Sequence, residues 1–172
     1  MKEIFAYTDG SAVVNGVNKG KGGFGTYFPN LFGERRAWSL GFKQGKTGQM
    51  EVMALLYAIK AMPKSYLEPV KLTVYSDSMY VVKSFTEHRL EKWIAAGWRN
   101  SSGDVKNQKL WKQIVDGLNE RKYLHLNMIH IKSHQVENAK DENKEALMRD
   151  PHIQGNMMAD RLADYKRHKI LN

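Results

Sequence analysis

Short apolar runs separated by turn residues fill the first forty positions, and helical periodicity takes over after residue 50. Ile4 to Thr8 is a β-prone run that ends at Asp9-Gly10-Ser11, a turn signal. Asn15, Gly16, Asn18, Gly20, Gly22 and Gly23 crowd the next stretch and predict a flexible glycine-rich turn. Phe24–Phe28 and Arg35–Phe42 read as two further strands, with Pro29-Asn30 and Gly33 as breakers, so the chain opens with a three-strand meander.

From Met50 to Met62 the residues Met50, Met53, Ala54, Tyr57, Ala58, Ala61 and Met62 recur at helical spacing, and Pro63 closes the helix. Leu72–Tyr75 is a compact apolar strand, followed by a helical stretch over Met79–Phe85. Strand, helix, strand in that order predicts parallel pairing through a crossover helix. Leu90–Ala96 and Gln108–Arg121 read as helices, Leu124–Ile131 as the last strand, and residues 155–168 as a closing helix with Met158, Leu162 and Tyr165 on one stripe. The expected class is α/β: a mixed five-stranded sheet, an antiparallel meander plus parallel strands, flanked by helices. There is no internal repeat or low-complexity linker, and 172 residues favour one domain over 1–172.

Composition narrows the chemistry. The chain has no cysteine, which excludes disulfides, thiolate nucleophiles, iron–sulfur clusters and cysteine-bearing zinc sites. No apolar run approaches the ~20 residues that span a bilayer. The first apolar stretch is too short for a signal peptide, so a cytoplasmic protein without membrane contact is expected. Lys and Arg total 27 against 18 Asp and Glu, a net charge of +9, which points to a polyanionic partner.

The basic charge is uneven. Between Lys83 and Lys112 seven bases face three acids, interleaved with Trp93, Trp98 and Trp111. Cations serve phosphates and tryptophans pack on sugars or bases. Trp93 and Trp111 read equally as a small local core, the favoured reading for Trp111. From Gln135 to His152 the balance reverses to five acids and three bases. That segment is either a disordered loop or carries a short helix around Lys144–Met148.

Three carboxylates stand at element ends: Asp9 after the first strand, Glu51 at the start of the first long helix, Asp77 after the fourth strand. Sites in open α/β sheets gather outside the carboxyl ends of strands. Parallel first and fourth strands would set Asp9 beside Asp77, with Glu51 in reach. Carboxylates so placed repel unless a cation neutralises them, and hard oxygen ligands suit Mg²⁺ or Mn²⁺. Singly, Asp9 reads as a turn residue, Asp77 as a helix cap and Glu51 as a first-turn acid; the joint pattern points to a metal site.

Tyr7-Thr8-Asp9-Gly10-Ser11, Gly48-Gln49-Met50-Glu51-Val52-Met53-Ala54-Leu55 and Tyr75-Ser76-Asp77-Ser78-Met79-Tyr80-Val81 resemble the three successive carboxylate motifs of type 1 ribonuclease H. Ile131-Lys132-Ser133-His134 resembles its histidine motif, and Asn156-Met157-Met158-Ala159-Asp160-Arg161-Leu162-Ala163 the helix with its fourth carboxylate. The resemblance covers nearly the whole chain. It implies a ribonuclease H-like fold and endonucleolytic hydrolysis of the RNA strand of RNA/DNA hybrids, giving 5′-phosphate and 3′-hydroxyl ends. It implies Asp9, Glu51, Asp77 and Asp160 as ligands of two Mg²⁺ ions, with Mn²⁺ a possible substitute, and His134 as an aid to proton transfer or product release. Four carboxylates and two divalent cations balance in charge.

The resemblance further implies that residues about 86–112 form a basic protrusion holding the DNA strand, with Trp93, Trp98 and Asn107 at matching positions. Contacts to the hybrid are expected from Gly10, Ser11, Asn15 or Asn18, and Gln49. The sequence departs from the family in its longer turn from Ala12 to Gly23, in Gly48-Gln49 replacing an asparagine-rich stretch, and in the acidic insertion at about 136–153. A monomer is the expected state. A structure-specific DNA nuclease on the same fold and a non-catalytic hybrid-binding module are the alternatives.

Overall fold

A computed structural model describes residues 1–169 of the chain; positions 170–172 of the expected single domain lie outside the described residues. The elements follow in the order β1 (Lys2–Ala12), β2 (Gly22–Leu31), β3 (Glu34–Phe42), α1 (Thr47–Lys60), β4 (Val70–Ser76), α2 (Met79–Thr86), α3 (Arg89–Ala95), β5 (Arg99–Asn100), β6 (Gly103–Asp104), α4 (Gln108–Asn119), β7 (Leu124–His130), α5 (Asp141–Arg149) and α6 (Pro151–His168). Five strands form a sheet in the order β3-β2-β1-β4-β7. The pairs β1–β2 and β2–β3 are antiparallel, and β1–β4 and β4–β7 are parallel. The expected meander with parallel additions is the observed sheet.

Alternation along β1 assigns the two sheet faces, because successive side chains point to opposite sides. Ile4 and Ala6 join the main apolar cluster with Val52, Leu55, Leu56 and Ile59 of α1 and Trp111 and Ile114 of α4. Tyr7 joins a second cluster with Tyr27 and Ala159, flanked by Phe5, Tyr75, Met158 and Leu162. α1 is therefore buried nearly all round, between the sheet and α4, and α6 covers the opposite face.

Several boundaries differ from the expected ones. β1 does not turn at Asp9-Gly10-Ser11 but continues to Ala12, pairing Asp9 with Gly25 and Ser11 with Gly23 of β2. Gly22 and Gly23 belong to β2 rather than to a flexible turn. A Cβ on Gly23 would stand 2.4 Å from the Ala163 carbonyl oxygen, and one on Gly25 2.2 Å from that of Ala159. These glycines let the α6 backbone lie directly on β2. Ala159 and Ala163 accordingly form the buried stripe of α6, while Tyr165 is exposed. Pro29 and Asn30 do not break β2; a register irregularity between Phe28 and Leu31 absorbs them. The acidic insertion forms α5, which buries no residue, and its end is the start of α6, capped by Asp150 accepting from the His152 and Ile153 backbone N–H groups.

Candidate active site

The β1–β4 register pairs Thr8 with Ser76, which sets Asp9 and Asp77 side by side at one edge of the sheet. Asp77 is not the cap of α2. Ser78 is, its side chain accepting from the Val81 backbone N–H, which leaves the Asp77 carboxylate to the cleft. Glu51 is not a first-turn acid either: α1 begins at Thr47, so Glu51 lies in its second turn, buried against β1. What brings it there is Gly10, where a Cβ would lie 2.2 Å from the Glu51 backbone nitrogen. One carboxylate oxygen each of Asp9, Glu51 and Asp77 lies within 4.8 Å of the others. Asp160, in the middle of α6, lines the same cleft and raises the pKa of both Asp9 and Asp77 by its charge.

Burial is the first cause of strain in this cluster. It pushes the Asp9 carboxyl up to about 8, with the charges of Asp77 and Asp160 adding to it. Glu51 is raised well above its ordinary value by burial, then by Asp9 and Asp77. Asp77 is raised by burial, then by Asp160. Glu51 Oε2 is buried without a hydrogen-bond partner among the described residues. A buried carboxylate oxygen without a donor is costly unless a cation meets it. The donor set is all carboxylate, which fits a hard divalent ion.

The cleft has a volume of about 370 Å³ and is also lined by Gly10, Ser11, Thr47, His134, Asp164 and Arg167. His134 sits at φ 51, in the left-handed region uncommon for residues other than glycine. Its Nδ1 lies 3.8 Å from Glu137 Oε2, and its ring is largely exposed. Ser11 Oγ donates to Asp164 Oδ1 at 3.1 Å and accepts from Arg167 Nη1 at 2.5 Å, while Arg167 Nη2 lies 2.9 Å from Asp164 Oδ1.

The other expected contacts fall into separate places. Gln49 and Asn107 line one groove with Lys46, Gly48, Tyr80 and Lys106. Asn15 and Asn18 line a pocket between the β1–β2 loop and the end of α6, with Arg167 and His168, and not the carboxylate cleft. Trp93 lies tilted against Trp111, ring centres 5.6 Å apart, and packs on the main core. Trp111 is fully buried and its Nε1 donates to the Tyr80 hydroxyl at 2.8 Å. Trp98 is half-buried at φ 66, with Lys112 Nζ 5.6 Å from its ring centre.

The RNase H family model matches residues 1–167. The chain belongs to the RNase H family. The ribonuclease H of Lachnoclostridium phytofermentans is 39% identical over 123 residues, 69% of this chain and 74% of that protein. The solved PFV RNase H domain superposes with a TM-score of 0.68 at 26% identity, covering 96% of this chain and 94% of that one. A foamy viral protease-reverse transcriptase solved in complex with RNA/DNA hybrid superposes at 0.72, with 24% identity over 97% of this chain and 20% of that longer one. The sheet order and helices described above are those of an RNase H fold, and the chain is a ribonuclease H by class.

Within this RNase H domain, Asp164 and Arg167 also line the cleft, although they lie outside the residues expected there from the sequence. Their signal is plain in retrospect: they follow Asp160 by four and seven residues, which places all three on one helical face.

Proposed function

We propose that this protein is an endoribonuclease that hydrolyses the RNA strand of RNA/DNA hybrids, leaving 5′-phosphate and 3′-hydroxyl ends. The observation that carries the proposal is the cluster of buried Asp9 and Glu51 with half-buried Asp77 and an unpartnered Glu51 oxygen, opening on a cleft that Asp160 and His134 also line. Asp9, Glu51, Asp77 and Asp160 hold two Mg²⁺ ions, for which Mn²⁺ can substitute. Divalent ions held there would supply a nucleophilic water at neutral pH and charge stabilisation for the phosphodiester.

The protein's own residues do the rest. His134 lines the cleft from an exposed position and serves proton transfer or product release. Gly10 and Ser11 lie at the floor of the cleft and contact the cut strand. Gln49 and Asn107, in their shared groove, and the basic arm bearing Trp93 and Trp98 hold the other strand. Asn15 and Asn18 contact the hybrid from the β1–β2 loop. A hybrid partner agrees with the net charge of +9 and with the hybrid-bound foamy viral protein whose fold this chain shares. We place the activity in the cytoplasm, in a single monomeric domain; no described helix is long and apolar enough to cross a membrane.

The test is cleavage of hybrid, duplex RNA and duplex DNA with each strand labelled in turn. The proposal expects cuts in the RNA strand of the hybrid alone; cutting of a DNA duplex or junction instead would replace it with a DNA nuclease.

A further inference from the structure

Arg167 stands where two cavities meet. It lines the carboxylate cleft, and it lines the pocket of about 380 Å³ beneath the β1–β2 loop with Asn15, Asn18, Lys21 and His168. Its guanidinium is fixed on one side only, by Ser11 Oγ through Nη1 and by Asp164 Oδ1 through Nη2. Nε is buried with no hydrogen-bond partner among the described residues. A guanidinium presents five N–H donors; Nε is enclosed, and the second N–H of Nη1 and of Nη2 is not taken by Ser11 or Asp164. Two oxygens on one edge orient the group without using all its donors.

The charge balance points the same way. Five carboxylates line the cleft: Asp9, Glu51, Asp77, Asp160 and Asp164. Two divalent cations offset the first four. Asp164 is the fifth, and Arg167 is the cation matched to it. The pair makes the rim neutral, so a phosphate arriving there meets oriented donors rather than net repulsion. Arginine is suited to this task because its planar fork can bond a carboxylate on one edge and a phosphate on another.

We propose that Arg167 is a substrate-phosphate ligand, held in position by Ser11 and Asp164, that grips the phosphodiester neighbouring the one that is cut, on the same strand. This inference rests on the hybrid-cleaving function proposed above. It makes Arg167 a binding residue and Asp164 its positioning partner.

The experiment measures KM for an RNA/DNA hybrid across a salt series, for the parent, Arg167→Ala, Arg167→Gln and Arg167→Lys, with thermal midpoints to establish folding. Loss of one phosphate contact lowers the slope of log KM against log salt by about 1. The expected result is that slope change in the alanine and glutamine variants, with KM raised by about tenfold at moderate salt, and a lysine variant that keeps the parent's salt slope with a KM between parent and alanine, because it retains the charge and loses the fork that Ser11 and Asp164 orient. The glutamine variant carries the test if the alanine variant does not fold. An unchanged slope, or a lysine variant as impaired as the alanine one, overturns the inference and leaves Arg167 as a clamp between Ser11 and Asp164. A parent that does not cut the hybrid at all refutes the proposed function instead, so the two failures are distinct.

Discussion

Gly10 and Glu51 touch backbone to backbone: a side chain on Gly10 would enter the peptide nitrogen of Glu51, 2.2 Å away. This contact places a helix carboxylate beside the strand carboxylate Asp9. Gly10→Ala therefore forces α1 away from β1. The expected loss of stability is about 1–3 kcal/mol, the usual range for overpacking. Displacing Glu51 by an ångström is expected to lower kcat by about 10²-fold. Urea unfolding and steady-state cleavage of the same variant check both.

Asp9→Asn removes one charge from a cluster whose members raise one another's pKa. In chelator above pH 8, where Asp9 is ionised, the variant is expected to melt above the parent temperature, since like-charge repulsion falls. Mg²⁺ raises the parent midpoint because metal binds the folded site, and this rise should shrink in the variant. Thermal scans with and without Mg²⁺ decide it; an equal metal-induced rise in both proteins removes Asp9 from the metal site.

The same cluster predicts a pH dependence in metal-free protein. Asp9 titrates at about 8 when folded, above the ordinary value of 3.8, because it is buried and faces Asp77 and Asp160. Between those values the folded state binds a proton that the unfolded state does not. Stability then falls as pH rises. In chelator the midpoint is expected to drop from pH 4 toward pH 8, with Glu51 and Asp77 acting in the same direction. Mg²⁺ should stabilise most at the alkaline end, where no proton has to leave the site. A metal-free midpoint that climbs over this range contradicts the raised carboxyl pKa values.

The tryptophans of the arm should separate into structure and recognition. Trp111 is fully buried and bonded to Tyr80. Trp111→Ala is expected to cost about 3–5 kcal/mol of stability. Trp98 is half-buried and packs against the edge of the main core, so Trp98→Ala should cost less stability than Trp111→Ala while raising KM for the hybrid, stacking being worth about 1–3 kcal/mol. Equal effects on stability would place Trp98 in the core with Trp111.

The carboxylates and the sheet were legible because their signals are local. Asp9, Glu51, Asp77 and Asp160 each lie in a short motif, and the order of strands and helices implies the parallel pairing that joins the first and third. The glycines were not legible. Gly10, Gly22 and Gly23 read as turn residues, yet all three lie within strands, where Gly10 and Gly23 are needed for close helix approach. A single letter cannot say whether glycine is chosen for its dihedral freedom or for its missing Cβ. The helix over Lys144–Met148 was one of two open readings, since a helix that buries nothing shows no apolar stripe. Tyr165 was assigned to a stripe it does not join, because α6 meets the glycines of β2 through the small residues Ala159 and Ala163. Asp164 and Arg167 escaped notice because their meaning depends on Ser11, more than 150 positions away in sequence.

The most direct test of the account is strand-labelled cleavage of an RNA/DNA hybrid by the parent and by Asp9→Asn, each with Mg²⁺ and with chelator. The account predicts RNA-strand products with 5′-phosphate and 3′-hydroxyl ends from the parent in Mg²⁺ alone, and none from the variant in either condition. Cleavage that persists in chelator, or an Asp9→Asn protein as active as the parent, would contradict it.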